Sequence, residues 1–348
     1  MNEREKMNAA YYSGKENIIN GECRILPPAA NEVRIKIAYC GICGTDLHIF
    51  HGKMDKRVRM PQVIGHEASG TIAEIGEKVR GLSIGQKVVV MPLDWCGNCP
   101  ACKDGHTHIC KNLKFLGIDT SGAFQEYWTV PARTVITLAD SIDLKTAALI
   151  EPLAVALHDV RLGNLSKGDF VAVIGGGPIG ALIALVAKFK GAEVLVSEIN
   201  KFRLKALKML GIETANPQEK DIVSLVMEKT GGRGTDLVFE VTAHPAGIET
   251  AVKLPKTRGQ IVVVGIFSEA PKVNLFDFFW KELKLRGARV YEKQDYEEAV
   301  RIMEQNSLPL ETLISAIYPL CELEKGFREL EKGDEVMKVL IKCSEQET

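Results

Sequence analysis

The sequence predicts an α/β protein of two domains, one rich in β-strands and one built on a doubly wound parallel sheet. Three observations support this prediction. The chain has 348 residues, more than one ordinary hydrophobic core contains. Residues 31–135 consist mainly of short β-branched or alternating segments that glycines separate. From about residue 168, continuous apolar strands alternate with helical periodicity, which is typical of a parallel sheet.

The β-rich domain is predicted from apolar or alternating segments at 33–38, 70–75 and 86–91. Turn signals at Gly76 and Gly81 separate the last two. Hydrophobic residues make up 46% and charged residues 26% of the chain, which is typical of a globular protein. The net charge of −1 excludes a global field that attracts nucleic acid or an anionic membrane.

A cysteine-rich run, CGNCPACKDGHTHIC, follows these strands. A closed zinc site needs four soft ligands about 2.3 Å from the metal, and Cys-x-x-Cys turns bring neighbouring sulfurs to that spacing. Because protein would fill all four coordination positions of this site, we expect the zinc held there to be structural, not catalytic. Free core thiols and disulfides are the alternatives, which the spacing disfavours. The predicted ligands are Cys96, Cys99, Cys102 and Cys110.

The parallel sheet is predicted to begin at 170–174, a continuous apolar run typical of a strand buried on both faces. Alternating elements follow it in order: a helix at 179–190, a strand at 193–197, a helix at 201–210, and strands at 236–240 and 260–264. The last sixty residues contain helix signals at 296–305 and 322–332 and a closing strand at 336–341, so this tail could return to the first domain.

A glycine motif, Gly175-x-Gly177-x-x-Gly180, lies between the first strand and the first helix of this sheet. The first glycine permits a tight turn, the second lets the backbone approach a pyrophosphate, and the third lets helix and strand pack closely. Phosphates would lie against the helix N-terminus, where amides and the helix dipole favour anions. A glycine-rich turn that binds nothing is the alternative interpretation.

Glu198 ends the next predicted strand, eighteen residues after Gly180. A carboxylate at this position can accept hydrogen bonds from both ribose hydroxyls and would repel a 2′-phosphate. Ile199 and Asn200 offer no compensating positive charge. The sequence therefore favours NAD over NADP.

A second set of potential metal ligands is dispersed along the chain. One thiolate, one imidazole and one or two carboxylates are a plausible open zinc site, in which the metal lowers the pKa of a bound alcohol. Spacing alone does not bring these residues together, because they span more than a hundred positions. The set comprises Cys43, Thr45, Asp46 and His48, then His66 and Glu67, then Glu151.

The N-terminal segment MNEREKMNAA is charged and lacks the apolar stretch of a signal peptide. The longest apolar runs are shorter than a bilayer span. We therefore expect a cytoplasmic protein with no membrane partner, in whose reducing environment nine cysteines indicate metal before disulfides.

Taken together, these residues resemble the zinc-dependent medium-chain dehydrogenases of the alcohol dehydrogenase superfamily. The match runs nearly end to end and includes GICGTDLH, GHEASG, CGNCPAC…C, GAFQEY, EPL, GGGPIG and KELKLRGARVY. Within the superfamily, Glu67 after His66 and Glu151 in EPL resemble the polyol branch. That branch includes sorbitol, galactitol-phosphate and butanediol dehydrogenases, with threonine dehydrogenase as a near relative.

The resemblance implies two zinc ions per chain. Cys43, His66 and Glu67 would hold the catalytic zinc, and Glu151 would be a direct or water-mediated fourth group. The four cysteines of the run 96–110 would hold the structural zinc.

The resemblance also implies a reaction, in which a hydride passes from a secondary alcohol of a polyol or sugar derivative to NAD and a ketone forms. Thr45 would link the substrate hydroxyl to a proton relay, and His48 would pass the proton to solvent. The implied cofactor contacts are Gly175, Gly177, Pro178, Ile179, Gly180, Glu198, Arg203, Val264, Gly265, Ile266, Ala288, Arg289 and Val290.

Substrate contacts are implied at Ile49, Phe115 and Tyr291. The sequence departs here from the sorbitol enzymes, which commonly carry Tyr after the relay histidine and Arg before the tail tyrosine. This chain has Ile49 and Val290 at those positions, which puts sorbitol itself in doubt. A threonine dehydrogenase, or a non-catalytic dinucleotide-binding protein with a zinc staple, are the other interpretations.

The fold implied by the resemblance is a GroES-like catalytic domain, residues 1–152 and 289–348, with a Rossmann domain, residues 153–288, inserted into it. The active cleft would lie where the two meet. The family suggests a homo-tetramer or homo-dimer that acts on a small-molecule alcohol.

Overall fold

The structure, a computed structural model, describes residues 6–333 and 335–344. The chain divides into two compact units, the first formed by Met1–Glu151 and Ala299–Thr348 and the second by Pro152–Glu298. None of the helices among the described residues has the length and apolar character needed to cross a bilayer.

The first part of the chain contains β1 (Lys6–Tyr12), β2 (Ile18–Arg24), β3 (Glu32–Gly41), α1 (Gly44–Phe50), β4 (Gln62–Val63), β5 (Glu67–Ile75), β6 (Lys87–Val90), β7 (Leu93–Asp94), α2 (Pro100–Lys103), β8 (Lys114–Phe115), β9 (Tyr127–Pro131), β10 (Val135–Thr137), α3 (Leu144–Ala147) and α4 (Ile150–Leu162). The second unit continues with β11 (Phe170–Ile174), α5 (Pro178–Phe189), β12 (Glu193–Ser197), α6 (Lys201–Met209), β13 (Glu213–Ala215), α7 (Ile222–Lys229), β14 (Thr235–Glu240), α8 (Pro245–Lys253), β15 (Pro255–Val263), α9 (Leu275–Lys281) and β16 (Lys284–Gly287). The chain then passes through α10 (Lys293–Glu304) to β17 (Ile314–Pro319), α11 (Leu323–Lys332) and β18 (Lys338–Lys342).

The chain returns to the first unit within α10, between residues 298 and 299. The sequence-derived boundary is ten residues earlier, at 288/289. The difference has a local cause, because Asp295 on the first turn of α10 accepts hydrogen bonds from Arg161 and contacts His158, both on α4 in the second unit.

The first unit is built on a sheet in the order β10-β6-β5-β3-β18-β17, with β9 also pairing with β3. The predicted strands 33–38 and 70–75 lie in β3 and β5. Alternate residues of β3, such as Ile35 and Ile37, are fully buried, as expected for a strand with one face on a core. The C-terminal tail supplies β17 and β18 to this sheet.

Helix α1 is held in place by aromatic packing within the first unit. Phe50, its last residue, stacks on Phe327 of α11 with ring centroids 4.7 Å apart and an interplanar angle of 4°. Phe124 meets the same Phe327 ring edge-on at 6.2 Å. All three phenylalanines are buried, so the orientation of α1 is determined by the core beneath it.

The second unit contains a six-stranded sheet in the order β13-β12-β11-β14-β15-β16, in which every adjacent pair is parallel. Residues 180–187 of α5 are all buried, because this helix packs along the sheet. The carboxyl ends of parallel strands meet at one edge, where a chain-order reversal beside β11 creates the usual place for a ligand.

Candidate functional site

Cys43 lies at the N-cap of α1, two residues after β3 ends. Its backbone N–H donates to Oδ2 of Asp46 at 2.9 Å, so an acid at the third helical position closes the first turn. Because core packing holds α1, this cap determines where the Cys43 sulfur lies.

His66 and Glu67 lie at the start of β5, and the pairing of β3 with β5 sets Glu67 opposite Gly41. This register brings the start of β5 to the N-terminus of α1. Both side chains are almost fully buried, at 2% and 1% exposure. The ring of Phe115 meets that of His66 edge-on, with centroids 5.1 Å apart.

The ligand atoms of Cys43, His66 and Glu67 all lie within 4.8 Å of one another. One sulfur, one imidazole nitrogen and one carboxylate oxygen form a donor set suited to zinc, and three protein ligands leave a coordination position open. Burial alone would lower the pKa of His66. The charges and hydrogen bonds of Asp46 and Cys43 outweigh this effect, and the pKa lies well above its ordinary value. The group therefore favours positive charge at its centre and fits a zinc dication.

Thr45 and His48 lie three positions apart on α1 and hence on the same helix face. Both are partly exposed. Burial lowers the pKa of His48, and the charges of Lys53 and His51 lower it further. The imidazole is therefore neutral at pH 7 and able to accept a proton.

Glu151 is the second residue of α4 and is 5% exposed. It is not part of the three-residue group whose ligand atoms lie within 4.8 Å. The negative charge of Glu151 acts on Lys338. Burial lowers the pKa of this lysine, but Glu67, Cys43 and Glu151 together raise it above its ordinary value. This placement fits a water-mediated role better than direct ligation.

The four cysteines of the run 96–110 converge, with every sulfur within 4.8 Å of the others. The Cys110 sulfur lies 3.8 Å from that of Cys99 and 3.5 Å from that of Cys96. A tetrahedral site with metal–sulfur distances of 2.3 Å has edges of about 3.8 Å. Backbone N–H groups supply further stabilisation for thiolates: Asn112 donates to Cys110 at 3.3 Å, and the Asn98 amide lowers the pKa of Cys96 to about 6. The arrangement fits a closed zinc site.

In the second unit, Gly175, with φ of +103°, turns the chain from β11 toward α5, whose N-cap is Gly177. A Cβ on Gly180 would lie 1.9 Å from the Gly175 carbonyl oxygen, so only glycine lets the helix approach the strand this closely. Pro178 and Ile179 in the first helical turn remain partly exposed. The free amides at this helix start can bind an anion such as a pyrophosphate.

Glu198 follows β12 directly and is 6% exposed. Its Oε2 accepts a hydrogen bond from the Gly176 amide at 2.8 Å, and its Oε1 accepts from the amides of Ile199 and Asn200 at 2.7 and 2.8 Å. Nη1 of Arg203 lies 3.9 Å from Oε2. The carboxylate is thus fixed beside the phosphate turn.

The other predicted cofactor contacts follow β15 and β16. The amides of Val264 and Gly265 donate to the Glu240 carbonyl at the end of β14, and the Ala288 amide donates to the Val263 carbonyl. Because the strands are parallel, these segments lie at the same sheet edge as the phosphate turn. They carry Val264, Gly265, Ile266, Ala288, Arg289 and Val290.

Val290 adopts a left-handed backbone conformation, with φ of +46°. A β-branched residue is rare in this region, because its side chain crowds the backbone. Strained residues of this kind cluster at functional sites, where the surrounding structure holds them. The strain therefore marks the segment that follows β16, which ends at Gly287, as a candidate functional segment.

The three predicted substrate contacts are all buried. Phe115 is in contact with His66 and so lies beside the metal-ligand group. Ile49 and Tyr291 are fully buried, so their contact with a substrate stays a prediction.

A third set of potential ligands, Glu16, His51 and Glu331, lies on the surface of the first unit. Nη1 of Arg328 is 2.8 Å from the Glu16 carboxylate and 3.0 Å from that of Glu331. The guanidinium already balances these charges, so we assign no metal to this set.

Two charged residues lie beside the Cys43 group in roles that the sequence did not predict: Asp46 was expected only as one of several potential metal ligands, and Lys338 was not singled out. Asp46 is fully buried, caps Cys43 and has Oδ1 3.5 Å from Nδ1 of His66. Its position three residues after the cap cysteine was the available signal. Lys338 is buried in an ion pair with Glu67, and no local pattern indicates a lysine in that position.

Residues 29–140 match the family described as alcohol dehydrogenase GroES-like domain, and residues 178–305 match the family described as zinc-binding dehydrogenase. The chain is 49% identical to 2-dehydro-3-deoxy-L-galactonate 5-dehydrogenase of Pseudoalteromonas atlantica, over 98% of this chain and all of that protein. It is 32% identical to L-galactonate-5-dehydrogenase of Escherichia coli, over 94% and 98% of the two chains. The crystal structure of galactitol-1-phosphate dehydrogenase from Escherichia coli has a TM-score of 0.90 at 28% identity, covering 97% of this chain and 100% of that one.

Proposed function

The chain belongs to the zinc-dependent medium-chain alcohol dehydrogenase family, and from this premise we propose that it oxidises a secondary hydroxyl of a sugar acid to a ketone. The family, the GroES-like and Rossmann fold class, and NAD-linked oxidation of an alcohol on a sugar derivative, predicted from the sequence, are confirmed. The prediction of zinc and a nicotinamide dinucleotide is supported by the zinc-binding dehydrogenase family match and by the two groups of potential zinc ligands, and the choice of NAD over NADP is part of this proposal.

The main support for the proposed reaction is that Cys43, His66 and Glu67 converge beside α1. A zinc ion held by these side chains supplies Lewis acidity, which lowers the pKa of an alcohol hydroxyl toward neutrality. The Cys43 thiolate and the Glu67 carboxylate would balance the two positive charges of the ion, and the His66 nitrogen would complete a set of three protein ligands that leaves one coordination position open for the alcohol.

The substrate proton leaves along α1. Thr45, in the first turn, accepts the hydroxyl proton through its own hydroxyl and passes one on to His48 on the same helix face. His48 is suited to this step because its lowered pKa keeps the ring unprotonated at pH 7. Its partial exposure allows the proton to leave to solvent.

NAD supplies the hydride acceptor, and the chain's part is to bind and orient it. The amides at the start of α5 bind the pyrophosphate, and Glu198 accepts hydrogen bonds from the ribose hydroxyls. Nη1 of Arg203 lies 3.9 Å from Oε2 of Glu198, so Arg203 would lie near the adenosine end of the bound cofactor.

The sugar-acid proposal is supported by the names of two relatives and by one cation. Both the 49% and the 32% identical relatives are named as dehydrogenases of galactonate derivatives, which carry a carboxylate. Lys53 is exposed, and its amide donates to the His48 carbonyl at 3.0 Å. It forms no ion pair within residues 6–333 and 335–344, whereas nearby Arg57 binds Asp119 through two hydrogen bonds. Lys53 is therefore available to a substrate carboxylate near the relay.

A substrate panel tests this proposal. We expect a 2-keto-3-deoxy sugar acid or an aldonate to give the highest kcat/KM with NAD, above sorbitol, 2,3-butanediol, galactitol 1-phosphate and L-threonine. The Lys53→Met variant should raise KM for the sugar acid about tenfold and leave KM for neutral polyols unchanged, because it removes one charged hydrogen-bond donor. Production of NADH, followed by absorbance, measures each rate.

Lys56→Met is the matched control, because Lys56 is an exposed lysine of the same segment. A preference for a neutral polyol or for threonine in the wild type would reject the sugar-acid proposal. Equal KM changes for charged and neutral substrates in Lys53→Met would reject the role of Lys53.

Glu198 provides a test of the cofactor assignment. In Glu198→Ala we expect the ratio of kcat/KM for NAD to that for NADP to fall about 10–100-fold, because the variant loses a ribose acceptor and a charge that repels the 2′-phosphate. Steady-state kinetics with both cofactors measures the ratio. Glu213→Ala, which removes a surface carboxylate paired with Lys229, is the control. An unchanged ratio would show that another group selects the cofactor.

We propose that the chain is a homodimer or homotetramer whose subunits meet at β16 and α9. β16 is an edge strand with four exposed residues, and α9 beside it exposes Leu275, Phe276, Phe279 and Trp280. Unpaired edges and apolar patches of this kind are typical of subunit interfaces. A monomer mass in sedimentation equilibrium would reject this.

We place the enzyme in the cytoplasm, where its thiols stay reduced.

A further inference from the structure

Lys338, the first residue of β18, is a buried lysine at 3% exposure. Its ammonium group forms an ion pair with Oε2 of Glu67 and donates a hydrogen bond to the Ile42 carbonyl at 3.0 Å. Lysine is almost never fully buried without a partner, because removing the charge from water is costly. The partner here is one of the three proposed metal ligands.

Strand order explains how the two charges meet. β5, β3 and β18 are neighbours, so Glu67 and Lys338 approach from opposite sides of β3. The residue of β3 between them is Gly41, on which a Cβ would lie 2.0 Å from Glu67 Oε2 and 3.0 Å from Lys338 Cε. The side chains therefore cross β3 through the space that glycine leaves open.

The same register brings Lys338 to Cys43. β18 and β3 are antiparallel with Leu340 opposite Gly41, and the Ile42 amide donates to the Val339 carbonyl beyond that pair. Cys43 follows Ile42, whose carbonyl accepts the hydrogen bond from Lys338, and the charge of Cys43 acts on the ammonium group. Lys338 thus has a proposed thiolate ligand and a proposed carboxylate ligand as neighbours, and the charge of Glu151 acts on it as well.

We propose that Lys338 is a positioning residue of the metal centre, which holds the Glu67 carboxylate in place for zinc and supplies the buried positive charge that balances Cys43, Glu67 and Glu151. It does not touch substrate or cofactor and acts through Glu67. This inference rests on the proposed assignment of Cys43, His66 and Glu67 as the catalytic zinc ligands.

The test compares full-length Lys338→Met and Lys338→Arg with the wild type. Outer-shell partners of metal ligands contribute about 10–100-fold to metal affinity or activity. We expect Lys338→Met to bind zinc 10–100-fold more weakly at the Cys43 site. Competition with a chromophoric chelator measures this affinity. After cobalt(II) substitution of that site, its visible absorption bands should change in position or intensity. Lys338→Arg, which keeps the charge, should restore the wild-type spectrum.

Lys145→Met is the matched control, because it makes the same substitution and removes a surface ion pair, with Glu311, whose atoms are 2.5 Å apart. It should leave affinity and spectrum unchanged. If Lys338→Met has the wild-type spectrum and zinc affinity, even with a lower melting temperature, then Lys338 contributes only to stability and the proposed positioning role is wrong. Failure of Lys338→Arg to restore the spectrum would also overturn the proposal.

A second comparison covers the case in which Lys338→Met does not fold. Glu67→Gln with Lys338→Met removes both charges of the buried ion pair together, so neither is left without the other and the double variant should fold. If Lys338 acts through Glu67, the double variant binds zinc as Glu67→Gln alone does. A further loss in the double variant would contradict this. Cys43→Ala separates the two hypotheses, since full catalytic zinc in that variant would reject the ligand assignment itself, whatever Lys338 does.

Discussion

We expect Cys43→Ala to lose at least about a thousandfold in kcat while its affinity for NAD stays unchanged. Removing one of three ligands leaves His66 and Glu67 to hold the metal, and the Lewis acidity on which alcohol deprotonation depends contributes several kcal/mol to the reaction. The dinucleotide elements lie in the second unit, on β11, α5 and β12, and are not altered. Turnover, zinc content per chain and NAD affinity by calorimetry are the measurements.

Cys40→Ala is the matched control for this experiment. Cys40 is a buried free cysteine on β3, three residues before Cys43, and it does not belong to the ligand group. Zinc content should fall from two to one in Cys43→Ala and stay at two in Cys40→Ala. An active Cys43→Ala enzyme with two zinc ions would refute the proposed catalytic centre.

Cys99→Ser should act on stability before activity. Cys99 is the N-cap of the short helix α2, and its sulfur lies 3.8 Å from that of Cys110. A closed four-thiolate site contributes its binding energy to folding, so losing a ligand should cost several kcal/mol. For a protein of this size, in which 1 kcal/mol shifts Tm by less than about 2 °C, we expect a fall in Tm of roughly 5 °C. Calorimetry with metal analysis checks both the Tm and the loss of one zinc.

The exposed Cys321 is the natural comparison, and Cys321→Ser should leave Tm and zinc content unchanged. Below its transition, Cys99→Ser should keep most of its turnover, because the Cys43 group lies on other elements. A Cys99→Ser chain that melts with the wild type and keeps two zinc ions would overturn the structural assignment. The two cysteine variants thus separate the two metal sites by different observables.

Local patterns in the sequence predicted the strands, helices and cysteine cluster closely. The helix predicted at 179–190 is α5, Pro178–Phe189, and the strand predicted at 170–174 has those bounds as β11. Such elements depend on periodicity and turn residues within a few positions, which local sequence carries. The sequence pattern allowed the C-terminal tail to return to the first domain but did not require it. The structure shows this return, because β17 and β18 lie in the sheet of the first unit.

By itself, the sequence determined the cysteine lobe and the phosphate turn, because their functional groups follow one another within fifteen residues and a short loop holds them. Tertiary structure alone decided the surroundings of the other metal group: Glu67 paired with Lys338 across Gly41, and Glu151 outside the inner group. Those relations depend on the register of β18 against β3 and of β3 against β5. Register between strands that are separated in the sequence, as β3 and β18 are by some 300 residues, follows from the packing of a whole core, which no local pattern encodes.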